Sequence, residues 1–560
     1  MSYALSSGVT GLQAHQKMLD VAGNNLANVN TTAFKTSRIS FTELLGETLQ
    51  QASQPTDNIG GTNPQQMGSG VGVAGVSPNM GQGSIVNTGN PLDVAIEGQG
   101  YFVVSDGERT LYTRAGTFGV DENGSLVDPS TGYRVQRLGL TGEEDGFQLP
   151  GDTSIRVPYD VSLPAQQTAS ITLTGNLSSD ASGTANAQVL ASSLAYTAEN
   201  TDATGTSLIG ELDQFTGGSG ANGKLGAGES GVISFSGYRA DGTAYTGTDF
   251  TFDSTTTLDD LVDHLNNNVL TDATASLVNG EIRIEDNATG YSRSDMVMSY
   301  SGDGALEMPA YFEMMTVGGD EVKSVNIAIY DSQGGKHVLS AAFVRADEVN
   351  TWDLVLTSVG GNVSEILPEN RRISNISFNA QTGALAGLPD GVSSQFTMTF
   401  GHDVDRPQTV ELNLGTVGSF DGVTQFAGNS TAVAREQDGY EAGNLSTVSV
   451  NNEGILIGAF SNGIKKDIAT LQVALFKNPA GLLSAGNGYY VPSANSGGAV
   501  ATQAMNTGAG TIHGSALEKS NADVATEFVS MIEAQNGFQA NARTITVAND
   551  ILRELTNLIR

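Results

Sequence analysis

Cysteine is absent from this chain of 560 residues, and basic residues are scarce. The lack of cysteine excludes disulfides, thiolate metal sites and a cysteine nucleophile. Only 26 Lys and Arg accompany 60 Asp and Glu, giving a net charge of −34. This balance argues against partners such as nucleic acid or an anionic membrane surface, because both require clustered cations.

Long apolar runs are also missing. No stretch approaches the ~18 apolar residues that a membrane-spanning helix needs, and residues 1–20 lack the apolar region of a secretory signal. We therefore expect a protein that is either cytoplasmic or exported without a cleaved signal peptide. No convergent set of catalytic residues stands out, so an enzymatic role, a cofactor and a metal site are not predicted.

Proline is scarce, with 14 residues, whereas glycine is abundant, with 70. Many glycines without a collagen period indicate tight turns between short strands. Apolar and acidic residues alternate through LDVAIE at 92–97, and the turn DENG at 121–124 separates two further apolar stretches, which predicts a hairpin. Trp352, the single tryptophan, is expected in a β-core. A chain of this length predicts roughly four domains.

The first thirty residues contain a heptad pattern. The repeated apolar residues, at strict intervals of seven, are Leu5, Leu12, Leu19 and Leu26. This spacing predicts a helix with a narrow apolar stripe, as in a coiled coil. Gly8, Gly11 and Gly23 interrupt it, and each costs about 1 kcal/mol relative to alanine in a helix. We expect the helix to be largely unfolded unless a partner covers the leucines.

The last forty residues repeat the pattern and predict a helix over 521–560. One apolar column consists of Val524, Met531, Phe538, Ile545, Leu552 and Ile559. A second, more polar column consists of Phe528, Gln535, Ala542, Asn549 and Thr556. An ordinary amphipathic core helix is the alternative. The helix length and the matching stripe at the other end of the chain favour pairing of the two helices.

Two further segments carry local patterns. Thr256 followed by Asp259 resembles a capping box, and the apolar residues that follow predict a helix facing a core. Together with a hairpin after it, this predicts a small α+β unit within 183–320. Gly70, Gly72 and Gly75 spell GxGxxG, but no helix start follows, so a Gly-rich loop is expected instead of a phosphate-binding site.

The segment SGVTGLQAHQKMLDVAGNNLANVNTTAFK closely resembles the N-terminal motif of the bacterial flagellar axial proteins, which form the rod and the hook. Its diagnostic residues include Gly11, Asn25, Asn28, Thr31, Phe34 and Lys35. GNPLDVAIEGQGYFVV and the segment from Ser520 to Leu558 are similar to the hook and distal-rod branch. The length leaves room for outer domains, so the hook-protein branch is the best match.

The resemblance implies a multidomain, mainly β fold with nested discontinuous domains. A terminal coiled-coil domain would be formed by the N- and C-terminal helices. The expected boundaries are a helical domain at 1–30 with 520–560, a connecting segment at 31–75 with 505–519, an inner β-domain at 76–145 with 430–504, an outer β-domain at 146–182 with 321–429, and an inserted α+β domain at 183–320.

The resemblance also implies function. The chain would be a structural subunit of the flagellar hook, a self-assembling helical tube that acts as a universal joint between motor and filament. Implied partners are other copies of the chain, the distal rod, the hook cap, the hook–filament junction protein and the type III export apparatus. Alternatives are another axial component, distal-rod-like or hook-associated, or a secreted β-rich adhesin. The adhesin leaves the heptad-patterned ends unexplained.

Overall fold

The computed structural model describes residues 2–180, 184–245 and 249–558. Its three α-helices within those ranges are α1 (Ser2–Ala27), α2 (Leu258–His264) and α3 (Val524–Leu558), and the rest is mainly strands. The chain divides into two compact units, residues 1–163 with 443–560 and residues 164–442. The prediction of a mainly β fold with contacting terminal helices is confirmed.

An irregular β-ribbon follows α1 in the first unit. Ser37–Glu43 pairs antiparallel with Val71–Pro78, and Glu47–Gln50 pairs with Gln65–Met67. The GxGxxG glycines therefore lie in and beside a strand, and the prediction of a Gly-rich loop is wrong. Gly70 has a φ of +121°, and a Cβ there would lie 2.2 Å from Thr10 Oγ1. Glycine permits this close approach of the ribbon to α1.

The β-core of the first unit is built from both halves of the unit. Its largest sheet has nine strands: Leu483–Gly486, Tyr489–Val491, Thr110–Thr113, Tyr101–Ser105, Arg134–Val135, Leu126–Val127 and Gly119–Val120, with Val473–Leu475 paired to Tyr101–Ser105 and Val500–Thr502 paired to Val473–Leu475. The last two strands of the main path form the hairpin predicted around DENG, which is confirmed. A four-stranded sheet consists of Ser162–Leu163, Gly443–Val450, Ile455–Phe460 and Lys465–Thr470.

Two short strand pairs connect this core to the helices. Thr511–Gly514 pairs with Val94–Glu97, and Ala516–Glu518 pairs with Ile85–Asn87. Both pairs join a segment shortly after α1 and its ribbon to a segment shortly before α3. The chain therefore enters and leaves the β-core of the first unit along neighbouring strands.

The second unit contains two sheets around an apolar core. The first has the order Val322–Tyr330, Lys336–Arg345, Thr351–Val359, Arg372–Phe378, Leu385–Gly387. The second consists of Val363–Glu365, Gln395–Phe400, Gln408–Asn413, Ser170–Ser178 and Val423–Phe426, with Val433–Gln437 beside Ser170–Ser178. Trp352 is fully buried in this core, as predicted.

A second core in the same unit contains α2. Around it lie two sheets, one ordered Ala273–Val278, Glu281–Asp286, Val189–Ser192, Phe312–Thr316 and the other Phe250–Asp253, Ser230–Tyr238, Asp295–Gly302. Two-stranded pairs join Thr197–Ala198 to Thr201–Asp202 and Phe215–Thr216 to Ala305–Leu306. Ala342, Val344 and Val355 of the five-stranded sheet also contribute to this core. That sheet therefore has a core on each face.

The start of α2 differs by one residue from its prediction. The capping box is formed by Thr257 and Asp260 instead of Thr256 and Asp259. Thr256 hydrogen-bonds through its hydroxyl to Asp253 in the preceding turn, which leaves Thr257 to accept from the helix N–H. Leu258, Leu261 and Leu265 are buried as the pattern predicts.

Candidate assembly surface

The two terminal helices pack antiparallel along a line of small residues. A Cβ added at Gly8 would lie 3.0 Å from Ile545 Cγ1, and one added at Gly11 would lie 2.7 Å from Asn541 Oδ1. Farther along, a Cβ at Gly537 would lie 2.4 Å from the His15 ring. The buried alanines of this contact are Ala14, Ala22, Ala534 and Ala548. We call this line of contact the helix seam.

Of the predicted heptad columns, Ile545 contacts the helix seam at Gly8, and most other members lie beside the seam. Half-buried members are Leu5, Leu12, Leu26, Met531, Ile545 and Leu552, whereas Leu19, Val524, Phe528 and Phe538 are exposed, and Ile559 lies outside the described residues. On α3 the residues nearest α1 are buried Ala534, half-buried Asn541 and buried Ala548, which lie outside both predicted columns, so the role of the second column stays a prediction. Glycines on α1 let the helix axes approach, so small side chains occupy the closest contact and larger ones flank it.

The α3 helix leaves large apolar side chains uncovered away from the helix seam. They are Val524, Phe528, Val529, Ile532, Val547, Ile551, Leu555 and Leu558, and Phe528 is 48% exposed. We call these residues the outer apolar face of α3. A helix that is apolar on more than one side is typical of a helix with more than one packing partner. Among the described residues of one copy, the main partner of α3 is α1 at the helix seam.

A buried ionic cluster lies where the helices join the β-core. Lys35 Nζ lies 2.6 Å from Glu518 Oε1, and the side chains are 1% and 0% exposed. Arg114 Nη1 lies 3.5 Å from Glu518 Oε2. The Gly83 N–H donates to Glu518 Oε1 at 2.8 Å, and Lys35 Nζ donates to the Gly81 carbonyl at 2.9 Å. The cluster thus joins four separate segments of the first unit.

Two asparagines extend the cluster to the helices. Asn25 Nδ2 donates to the Ser37 carbonyl at 2.9 Å and to Glu527 Oε1 at 3.0 Å, so one side chain links α1, the ribbon and α3. Asn521 Oδ1 accepts from the Thr36 N–H at 2.8 Å, and its Nδ2 donates to the Asn79 carbonyl at 2.8 Å. We refer to Asn25, Lys35, Arg114, Glu518 and Asn521 as the polar anchor.

Burial dominates the electrostatics of the polar anchor. Loss of solvation lowers the pKa of the Lys35 ammonium, while the hydrogen bond and the charge of Glu518 oppose that shift. Burial likewise raises the pKa of Tyr101, over whose ring the Arg114 guanidinium lies at 5.2 Å. Isolated charges in such a site are strongly unfavourable, so each charge depends on its partner.

The remaining motif residues shape the turn after α1. Asn28 Nδ2 donates to the Asn24 carbonyl at 2.9 Å, and Asn28 Oδ1 accepts from the Thr31 hydroxyl at 3.1 Å. The Phe34 N–H donates to the Thr31 carbonyl, at 3.3 Å, and the ring is half-buried. Gly11 lies in the helix seam. The sequence did not point to Arg114, Glu518 or Asn521, because single polar residues in short strands and loops produce no periodic signal.

In the parts of the chain that the structure describes, no three or more His, Asp or Glu side chains are placed to hold a metal ion. Over the same residues, no helix combines the length and apolar character needed to cross a membrane.

Family models match four parts of the chain. They are the flagella basal body rod protein model at 5–35, the flagellar hook protein FlgE/F/G D1 domain at 95–183, the flagellar basal body protein FlaE D2 domain at 309–440 and the flagellar basal body rod FlgEFG protein C-terminal model at 513–558. The first and last cover the two terminal helices.

Whole-chain relatives agree with these matches. The flagellar hook protein FlgE of Borreliella burgdorferi is 31% identical, and that of Treponema pallidum is 30% identical, each over 100% of both chains. A solved structure, the Helicobacter pylori flagellar hook protein FlgE2, has a TM-score of 0.38 at 17% identity, covering 76% of this chain and 99% of that chain. On the full-length sequence matches, the chain belongs to the flagellar hook protein family.

Proposed function

We propose that this chain is the structural subunit of the bacterial flagellar hook and polymerises into a flexible helical tube. The tube acts as a universal joint that transmits torque from the rod to the filament. The observation that carries the proposal is the outer apolar face of α3, which leaves residues such as Phe528, Ile532 and Ile551 exposed in one copy. Burying a side chain of this size contributes about 1.5–3 kcal/mol. Neighbouring copies in an inner tube would supply that burial.

The second unit suits the outside of such a tube. Residues 164–442 contain 36 acidic and 11 basic side chains. Surfaces that repel one another form few strong lateral contacts. A joint that bends as it rotates needs contacts that exchange easily, because each subunit must move relative to its neighbours once per turn. The low aromatic content of 6% fits the same requirement, since aromatic residues dominate tight interfaces.

Further partners follow from membership of the family. We infer that the polymer adjoins the distal rod, the hook cap and the hook–filament junction protein, and that the chain leaves the cell through the type III export apparatus without a cleaved signal. The role is structural and not enzymatic. The alternative is another axial component, and electron microscopy separates the two, since a hook polymer is curved and a rod polymer is straight.

The proposal is tested by placing a charge on the outer apolar face of α3. In Phe528→Asp, the desolvation of a carboxylate opposes packing between copies, so the purified chain should fold but form no tubes under conditions in which wild type does. Val349→Asp is the matched control, because Val349 is 86% exposed and lies in the second unit. That variant should form normal tubes. Normal curved tubes from Phe528→Asp would contradict the proposal.

A further inference from the structure

The polar anchor is an unusual way to join helices to a β-core. Lys35 and Glu518 are almost wholly buried, and their ionic contact lies between strands and loops that are otherwise held by backbone hydrogen bonds. Apolar residues of similar size in such a position are often as stabilising as an ion pair, or more so. Stability alone therefore does not explain why the charges are there.

The ionic contact differs from an apolar one because its hydrogen bonds are directional. Glu518 Oε1 receives both Lys35 Nζ and the Gly83 N–H, while Lys35 Nζ also donates to the Gly81 carbonyl. These bonds fix the position of Glu518, three residues before Asn521 and nine before Glu527. Apolar side chains would fill the same space in several orientations with little difference in free energy.

The hydrogen bonds beyond the ion pair pass this constraint to the helices. Thr36, next to Lys35, donates its N–H to Asn521 Oδ1, and Ser37 exchanges two hydrogen bonds with Asn25 of α1. Asn25 in turn donates to Glu527 in the first turn of α3. A displacement at the ion pair would thus shift the C-terminal end of α1 and the N-terminal end of α3.

We propose that the polar anchor is a positioning site that fixes the angle between the terminal helix pair and the β-core, and thereby the spacing of subunits in the polymer. This inference rests on the proposed function, because the spacing exists only in a polymer. Lys35, Glu518 and Arg114 are its charged centre, and Asn25 and Asn521 carry its geometry to the helices. Because its charged centre is buried within one copy, the anchor would act through α1 and α3.

The central test replaces both charges at once. Lys35→Met/Glu518→Met removes the ion pair and leaves Arg114 hydrogen-bonded to the Ile96 and Gly98 carbonyls, so its melting temperature should lie closer to wild type than that of a variant that loses Glu518 alone. Its polymers should be irregular or show a changed subunit repeat in electron micrographs. Glu518→Met alone should melt roughly 10 °C lower than wild type, because it leaves both Lys35 and Arg114 buried without their carboxylate.

A conservative variant separates geometry from charge. Glu518→Gln keeps an oxygen that can accept from Lys35 and from the Gly83 N–H, so its polymers should retain the wild-type repeat. Tubes of wild-type repeat and curvature from Lys35→Met/Glu518→Met would overturn the inference, while leaving the proposed function intact. Failure of wild type to form tubes would instead overturn the proposed function.

A second variant covers failure of the double variant to fold. Lys35→Arg keeps the positive charge but replaces a compact ammonium with a wider planar group, so the Gly81 and Glu518 contacts cannot both keep their positions. This variant should fold and form polymers with a shifted repeat. An unchanged repeat in Lys35→Arg would overturn the inference.

Discussion

The side-chain amide of Asn541 lies against the Cα of Gly11, so close that a methyl group on Gly11 would fall 2.7 Å from Asn541 Oδ1. Asn541 Nδ2 donates to the Gly537 carbonyl on its own helix at 2.8 Å, which holds the amide in that place. The contact at Gly11 is closer than the one at Gly8, where an added Cβ would lie 3.0 Å from Ile545 Cγ1.

Two glycines of α1 form a matched pair for testing the seam. Alanine gains about 1 kcal/mol of helix propensity over glycine at either position. At Gly23 a Cβ would meet no atom within 4 Å, so Gly23→Ala should stabilise the helices and preserve assembly. At Gly11 the methyl group must displace the Asn541 amide. Gly11→Ala should therefore gain less helical stability, measured by thermal circular dichroism, and assemble more slowly. Equal gains in both variants would contradict the close packing.

Limited proteolysis tests how firmly the terminal helices fold in one copy. The helix seam buries chiefly glycine and alanine, so it contributes little apolar burial. Monodisperse chain should lose both ends and leave a resistant core at about residues 75–515. The assembled polymer, digested in parallel, should keep them. Protease-resistant ends in the monomer would show that the helices do not depend on assembly for order.

The buried Arg371 supports the contact between the two cores of the second unit. Its Nη1 lies 3.2 Å from Asp295 Oδ1 and donates to the Phe312 carbonyl at 2.7 Å. Burial raises the pKa of Asp295, and the Arg371 charge opposes that rise. Arg371→Met leaves this carboxyl without its partner and should lower the free energy of unfolding by about 3–5 kcal/mol.

Trp352 emission during urea unfolding measures this loss, because Trp352 is fully buried in the same unit. The control is Arg435→Met, since Arg435 and its partner Glu436 are 70% and 73% exposed. Exposed pairs contribute about 0–1 kcal/mol, so this control should unfold close to wild type. Similar midpoints for both variants would contradict the role assigned to Arg371.

Acid should loosen the start of α3. Asp523 accepts from the Thr526 hydroxyl at 2.6 Å and from the Ala525 N–H at 3.3 Å, and these bonds lower its pKa below the ordinary value of 3.8. Because the pKa of Asp523 is depressed in the folded chain, the carboxylate stabilises the helix start at pH values above 3.8. That stabilisation is lost as the pH falls through the lower folded pKa.

Asp523→Asn isolates this effect, because asparagine caps helices about as well as aspartate but does not titrate in this range. Circular dichroism from pH 5 downward should show an additional loss of helix in wild type that is smaller in the variant. Identical acid profiles would show that Asp523 does not contribute to the pH dependence of α3.

The sequence predicted the positions of the two terminal helices better than it predicted which residues join them. The heptads located both helices, but large residues such as Phe528 mark the side away from the partner helix. The line of closest contact runs through glycine and alanine, which carry little hydrophobic signal. Lys35 belonged to the recognised motif, yet its partner Glu518 lies 483 residues away and in a short strand. Long-range polar pairs of this kind have no local pattern.

The hydrogen bond from Asn25 to Glu527 joins residues 502 positions apart. Contacts at such sequence separation carry a large loop-closure entropy and form late during folding. Residues 164–442 have contacts among themselves and need not wait for either end. Because α3 lies near the other end of the chain, α1 can pack against it only after nearly all of the polypeptide is available. We expect a copy cut short before Glu518 to fold residues 164–442 but to lack α3, and therefore not to be incorporated into the polymer.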